Sequence, residues 1–239
     1  MTSPLARKLG TFADLDEVRR ASLDALCDDV RVVAARTDII AEGDRPEVLH
    51  LIVEGWAARY KSMPDGKAQI MAFLLPGDFL DAHATILGRM DHGVRTITRC
   101  KVAYIKPDAL EALTAADNRI ARAFWWSTLV DEATLRSWLV SLGTRNAYTR
   151  IAHLLCEIHA RLKLLGLAED DRIDLPLTQV ELGEATGLTS VHINRTVQRL
   201  RTDGLIELGS KILTIRDVPA LKRAAGFDPS FLHIERRIR

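Results

Sequence analysis

The spacing of apolar positions divides the chain into stretches of different texture. Residues 11–30 carry Phe12, Leu15, Val18, Leu23 and Leu26 at intervals that give one buried helical face, with Asp14 or Asp16 available as a cap. From residue 31 to 105 the apolar runs are short and β-rich. Val32-Val33-Ala34, Ile39-Ile40 and residues 48–53, 56–61, 69–75, 94–99 and 102–105 read as strands. Turn clusters separate them: Glu42-Gly43-Asp44-Arg45-Pro46, Glu54-Gly55, Pro64-Asp65-Gly66-Lys67 and Pro76-Gly77-Asp78. Many short strands at near-regular spacing predict a jelly-roll-like β-roll. A short helix over 108–113 precedes a long one over 118–142, which is apolar on more than one face and so must be covered on more than one side. Phe124, Thr128, Asp131, Leu135, Trp138 and Leu142 follow a four-three spacing, as a seam against the same helix of a second copy would. Asp131 is an awkward member of that seam. Ser141-Leu142-Gly143-Thr144 reads as a hinge, and Asn146 caps a helix over 147–165 with Ile151, Leu154, Leu155 and Ile158 inside.

Residues 177–201 carry the strongest local signals. Thr178 can cap a helix, and Glu181, three residues on, can reach back to the cap's N–H. Thr186-Gly187 ends that helix, since glycine supplies a left-handed exit. Leu188 suits the corner. Thr189 caps a second helix whose apolar stripe is Ile193, Val197 and Leu200. Ser190, Val191, His192, Asn194, Arg195, Gln198, Arg199 and Arg201 face elsewhere. Between Thr189 and Thr202 there are three Arg and no acidic residue. Arg195 and Asn194 are side-chain types that pair bidentately with guanine and adenine edges, while Arg199 and Arg201 suit phosphates. Leu205-Ile206-Glu207-Leu208 and Lys211-Ile212-Leu213-Thr214-Ile215 alternate on either side of Gly209-Ser210, read as a two-residue hairpin turn. Two helices and such a ribbon make a winged helix-turn-helix, with Lys211 brought near phosphates. The tail holds one helix near Pro219 and a basic end, Glu235-Arg236-Arg237-Ile238-Arg239, read as a solvated tail.

Composition narrows the classes. A net charge of +1 over 239 residues excludes a blanket polycation, so any nucleic-acid surface must be local. Cys27, Cys100 and Cys156 lie far apart without the paired spacing of zinc or iron–sulfur sites, and read as reduced, buried thiols. The first ten residues lack the apolar core of a signal peptide, and no run is long and apolar enough to span a bilayer. A cytoplasmic location with no membrane partner is expected.

The order of β-roll, long helix and winged helix resembles the Crp/Fnr family of bacterial transcription regulators. The stretches EGDRPEVLHLIVEGWAARY, LLPGDFLDA, TRIAHLL and GLTSVHINRTVQRLRTDGLI carry the resemblance across nearly the whole chain. It implies an α+β fold: a sensory, cyclic-nucleotide-binding-like β-roll over 1–116, a dimerisation helix over 117–144 and a winged helix-turn-helix over 145–239. It implies a homodimer on a two-fold symmetric promoter site in double-stranded DNA, with half-sites about one helical turn (roughly 34 Å) apart, and RNA polymerase as a further partner. The DNA-binding residues expected are Thr178, Thr189, Ser190, Val191, His192, Asn194, Arg195, Arg199, Arg201 and Lys211. The dimer interface expected is Phe124, Thr128, Leu135, Trp138 and Leu142.

The departures bear on specificity and signal. The best-studied members carry a Glu one residue after the position matching Ser190, where this chain has Val191; Val can touch a thymine methyl but cannot accept from cytosine. Members that bind cyclic AMP use a Gly-Glu pair and an Arg-Ser pair, where this chain reads Leu80-Asp81-Ala82-His83 and Arg89-Met90-Asp91-His92-Gly93. Neither Arg89 nor Arg95 falls in register, and Leu135 stands where those members place a hydroxyl. No cofactor is therefore expected: cyclic AMP is disfavoured, an iron–sulfur cluster would have only Cys27 near the N-terminus, and haem on His50, His83 or His92 stays open. The rival readings are a cupin-like metal-dependent enzyme and an interaction module that has lost DNA contact. The first needs a clustered His/His/Glu set, which the spacing of Asp81, His83 and His92 does not show. The Arg-rich helix argues against the second. Neither a metal site nor a catalytic group is expected.

Overall fold

The computed structural model describes residues 2–234, so the basic end read over 235–239 lies outside the described residues. The chain forms two compact units divided inside one helix, between Asp131 and Glu132.

The first unit begins with two helices, α1 (Pro4–Phe12) and α2 (Glu17–Ala25), where one helix over 11–30 was expected. Ser3 caps α1 by accepting from Ala6 N–H at 3.1 Å, and Leu5, Leu9 and Phe12 bury a stripe that begins before the expected helix does. Asp16 is the cap of α2, accepting from Arg19 N–H at 2.9 Å. That cap needs extended backbone, so the helix must break before it. Leu15 and Leu23 are buried as expected, but Val18 is 75% exposed.

Seven strands follow: β1 (Val30–Val33), β2 (Asp38–Ile40), β3 (Leu49–Glu54), β4 (Ala57–Ser62), β5 (Ala68–Leu74), β6 (Gly93–Thr96) and β7 (Cys100–Ile105). They make two antiparallel sheets, ordered β1-β7-β3 and β2-β6-β4-β5. A short helix, α3 (Ala84–Leu87), lies between β5 and β6, and α4 (Pro107–Ala116) follows β7. The strand expected to run to Arg99 ends at Thr96, because Ile97 and Thr98 turn their N–H groups to the Trp56 carbonyl at 2.7 and 3.2 Å. Gly55 makes that approach possible. Its φ is +92°, and a Cβ there would lie 2.5 Å from the Arg99 carbonyl oxygen. Two apolar clusters lie in this unit. Leu5, Leu9, Leu23, Leu49, Leu51, Ile105 and Ile120 pack the helices on one sheet, while Ile40, Ile52, Leu74, Leu80, Met90 and Val94 fill the roll.

The long helix α5 runs Asn118–Thr144, two residues beyond its expected end. The expected hinge over 141–144 is therefore helical, and the break falls at Arg145-Asn146. The second unit contains the end of α5, α6 (Ala147–Leu164), β8 (Arg172–Asp174), α7 (Gln179–Thr186), α8 (Ser190–Thr202), β9 (Ile206–Gly209), β10 (Ile212–Ile215), α9 (Val218–Ala225) and a 3-10 turn, Pro229–Leu232. Asn146 caps α6 by accepting from Thr149 N–H at 3.0 Å. Buried Glu157 on α6 accepts from the Trp138 indole of α5 at 2.7 Å, and burial pushes its carboxyl above the usual range. His153, also on α6, sits against Phe227 and Phe231 with ring centroids 5.0 and 6.0 Å away. Burial, with the Arg145 charge adding, lowers this imidazole's pKa to about 4.

Two measurements test these features. Gly55→Ala should cost about 2–4 kcal/mol by urea unfolding, from strain and the clash with Arg99. Gly66→Ala, also at positive φ but with open space around it, should cost less. His153 gives a pH dependence. The unfolded chain takes up a proton on it near pH 6.5 and the folded chain only near 4, so stability is present above 6.5 and falls as pH drops through that window. The loss should be at most about 3 kcal/mol, and His153→Phe should flatten it.

Candidate nucleic-acid interface

The α7–α8 pair is built by its caps. Thr178 N–H donates to Glu181 Oε2 at 2.6 Å, and Glu181 N–H donates to the Thr178 hydroxyl oxygen at 3.2 Å, a reciprocal capping box. Gly187 ends α7 at φ +67°, its N–H bonded to the Gly183 carbonyl at 2.8 Å. Thr189 caps α8, its hydroxyl accepting from His192 N–H at 3.3 Å. Ile193, Thr196, Val197 and Leu200 turn inward. Ser190, Val191, His192, Asn194, Arg195, Gln198 and Arg199 are exposed, Val191 by 76%, and Arg201 is half-buried. At 3.6 residues per turn, Val191, Arg195 and Gln198 form the centre of the exposed face, with Asn194 and Arg201 on one flank and His192 and Arg199 on the other. Gln198 stands beside Arg195 on that face and was passed over in the list of base readers, although its amide suits adenine as Asn194 does.

Two supports were not visible in the sequence. The first is Arg150 on α6. Its guanidinium donates to the carbonyls of Ser141 (3.1 Å), Leu142 (2.9 Å), Arg145 (2.8 Å) and Thr186 (2.7 Å). One side chain thus gathers carbonyls at the C-termini of α5 and α7, among which Ser141 O also accepts from Arg145 N–H at 3.2 Å. The second is Tyr148, whose ring lies 4.8 Å from the Arg199 guanidinium and whose hydroxyl donates to Asp203 at 2.5 Å. Burial, with Asp203 adding, raises this phenol to about pKa 12, so it stays a donor. Arg199 is thereby held on an aromatic face rather than loose in solvent.

The wing is a three-stranded sheet, ordered β8-β10-β9. Its turn is Ser210-Lys211, both at positive φ (51° and 63°), one residue later than the Gly209-Ser210 expected from the sequence. Gly209 is the last residue of β9, paired with Ile212. Glycine signals a turn in sequence, but the apolar register of Leu213 and Ile215, both buried, fixes which two residues loop out. Lys211 consequently stands at the exposed tip instead of in the strand.

Residues 149–224 match the model of the Crp-like helix-turn-helix domain, and residues 30–117 match that of the cyclic nucleotide-binding domain. The chain belongs to the Crp/Fnr family of transcription regulators. It is 27% identical over 223 residues to the nitrogen fixation regulation protein FixK of Azorhizobium caulinodans, covering 92% of this chain and 88% of that one. It is 29% identical over 202 residues to the transcriptional activator protein FnrL of Cereibacter sphaeroides, covering 83% and 81%. The structure of FixK2 from Bradyrhizobium japonicum matches with a TM-score of 0.72 at 25% identity, over 83% of this chain and 98% of that one.

In this Crp/Fnr chain the dimer residues expected on α5 are not one seam. Phe124 packs on the first unit's own core, its ring 5.7 Å from that of Phe79. Trp138 is 6% exposed and bonded to Glu157. Leu142 is half-buried, 3.7 Å from the point where a Gly187 Cβ would stand. Asp131 faces Lys8 and Arg59 at 3.9 and 3.8 Å, which explains an acid at that position. Of the expected set only Thr128 and Leu135 are exposed. The exposed apolar side chains are Trp125 (72%), Leu129, Leu135, Leu139 and Val140. Both faces of α5 are apolar, so a four-three count fits either, and the inward choice follows from partners such as Glu157 that lie elsewhere in the sequence.

Among the β-roll candidates, His50 Nδ1 lies 2.6 Å from buried Asp81, whose other oxygen accepts from His50 N–H at 2.8 Å. Arg95 stacks on Tyr60 at 4.8 Å, and Arg89 is exposed. His83 and His92, nine positions apart, lie together with ring centroids 5.2 Å apart. The three cysteines are free thiols, and burial raises the pKa of each.

Loss of the Arg150 brace should be costly. Arg150→Ala should lower stability by about 2–4 kcal/mol, because charged-donor hydrogen bonds are lost and carbonyls are left unpaired. Arg150→Lys should not restore it, since one ammonium cannot span the four carbonyls. Urea midpoints of the two variants check this.

Proposed function

We propose that this regulator binds a two-fold symmetric promoter site as a cytoplasmic homodimer, with α8 of each copy in a major groove. The observation that carries the reading is the α8 face itself: seven exposed side chains, two of them Arg and none acidic, on a helix held at both caps. Arg195 has no hydrogen-bond or ion-pair partner among the described residues, so it reaches DNA without first breaking a contact. Arg195, Asn194, Gln198 and His192 read base edges, and Val191 lies against a thymine methyl. Arg199, Arg201, Lys211, Ser190 and the hydroxyls of Thr178 and Thr189 take phosphates. The Thr178 backbone N–H is committed to Glu181, so only its hydroxyl is available.

The second copy packs along Trp125, Leu129, Leu135 and Leu139 of α5, which are large apolar groups left in solvent by a single chain. RNA polymerase is the further partner that a regulator of this family requires. The β-roll takes the signal, and that signal is not cyclic AMP: Arg95 is laid on Tyr60 and Arg89 points into solvent, which supports no phosphate clamp from either. That the curated relatives are regulators supports reading the chain as a non-enzyme.

Arg195→Ala should weaken binding to the selected operator by about 1–3 kcal/mol and leave non-operator binding nearly unchanged. Gel shifts on operator and scrambled duplexes at two salt concentrations check this. Equal loss on both duplexes would make Arg195 a phosphate contact instead of a base reader.

A further inference from the structure

The loop from the end of β5 to the start of β6 holds a group of side chains that the DNA-binding reading leaves unused. His83, Asp91 and His92 each place one potential ligand atom within 4.8 Å of the others. His83 sits at the N-cap position of α3 but makes no capping bond with its side chain. His92 is buried at 8% exposure. The Nε2 atoms of both imidazoles are buried and have no hydrogen-bond partner. Two unpaired ring nitrogens side by side are costly in a β-roll, where a polar atom without water normally finds a partner. His92 Nδ1 lies 2.6 Å from Asp91 Oδ1, a contact that Asp91 must leave to share an ion with His92 Nε2, since the two nitrogens lie on opposite edges of the ring.

We propose that His83, His92 and Asp91 form a site for a divalent first-row transition cation of the iron-to-zinc class. Two imidazole donors and one carboxylate favour such an ion over calcium or magnesium, which prefer oxygen alone. Bonds of about 2.1 Å place neighbouring ligand atoms about 3.3 Å apart, so the group closes by about 1.5 Å at its widest. Asp91, whose side chain is 80% exposed, is the member of the group least held by packing. The two rings are stacked, with centroids 5.2 Å apart and a tilt of 28°, so they share one side of the site and must splay to bring both Nε2 atoms onto one small ion. Two axial ligands on opposite faces of a haem need the reverse arrangement. If the β-roll is the signal-receiving unit proposed above, this cation is the class of signal it reads; the binding itself does not rest on that reading.

The test uses the full-length chain, freed of metal by chelation and titrated with Co²⁺ under visible absorbance. One Co²⁺ per chain with d–d bands is expected. His83→Gln and His92→Gln should each abolish the bands, and Asp91→Asn should weaken binding roughly 10- to 100-fold. Circular dichroism melts establish that the variants are folded. Hydrogen–deuterium exchange of the unmutated chain with and without Zn²⁺ needs no variant, and protection should concentrate in residues 80–95. No binding, binding that survives in the folded double variant, or protection elsewhere overturns the site. Gel shifts with and without Zn²⁺ separately test coupling: a bound ion without effect on DNA affinity would sink the signal role and leave the site standing.

Discussion

The geometry of the DNA-binding unit depends on one guanidinium. The last carbonyls of a helix are not all satisfied by the helix itself, and carbonyls from three places meet around Arg150: the end of α5, the joint at Arg145 and the end of α7. A cation there also complements the negative ends of both helix dipoles. Gly187, the left-handed exit from α7, adds a second constraint at the same point. A Cβ on it would lie 3.9 Å from Arg150 and 3.7 Å from Leu142, so the turn into α8 is set directly against the brace. The direction in which α8 leaves is therefore fixed by local hydrogen bonds within the unit.

What α8 then presents follows from its own periodicity. Four inward side chains anchor it, and the remaining face carries Arg195 at its centre, Arg199 on one flank and half-buried Arg201 on the other. Tyr148 holds Arg199 by its ring while its hydroxyl engages Asp203, the acid that would otherwise compete for that charge at 3.9 Å. The chain's net charge of +1 is no obstacle, because the field that meets DNA is local to this helix and the wing tip.

Local signals were legible in the sequence wherever residue type dictates backbone. Thr178, Glu181, Gly187, Thr189 and Asn146 all sit where capping chemistry places them, and the turn clusters of the β-roll fall between its strands. Contacts between distant residues were not legible. Trp138 belongs to Glu157, Phe124 to Phe79 and Asp131 to Lys8, so the apparent seam on α5 joined residues with different partners. His83 and His92 meet only because α3 and its following turn fold the loop back, which a count of spacing cannot see. Arg150 looks like any surface arginine until three chain segments surround it. Ser210-Lys211 loops out in place of Gly209-Ser210 because strand register outranks local glycine preference.

The central claim is that α8 is a groove-reading helix presented twice by a paired molecule. Hydroxyl-radical and methylation-interference footprinting of the full-length protein on its selected operator tests it most directly. The account predicts two major-groove patches related by two-fold symmetry, centred about one helical turn (roughly 34 Å) apart. A single patch, or protection spread evenly without sequence preference, would contradict it.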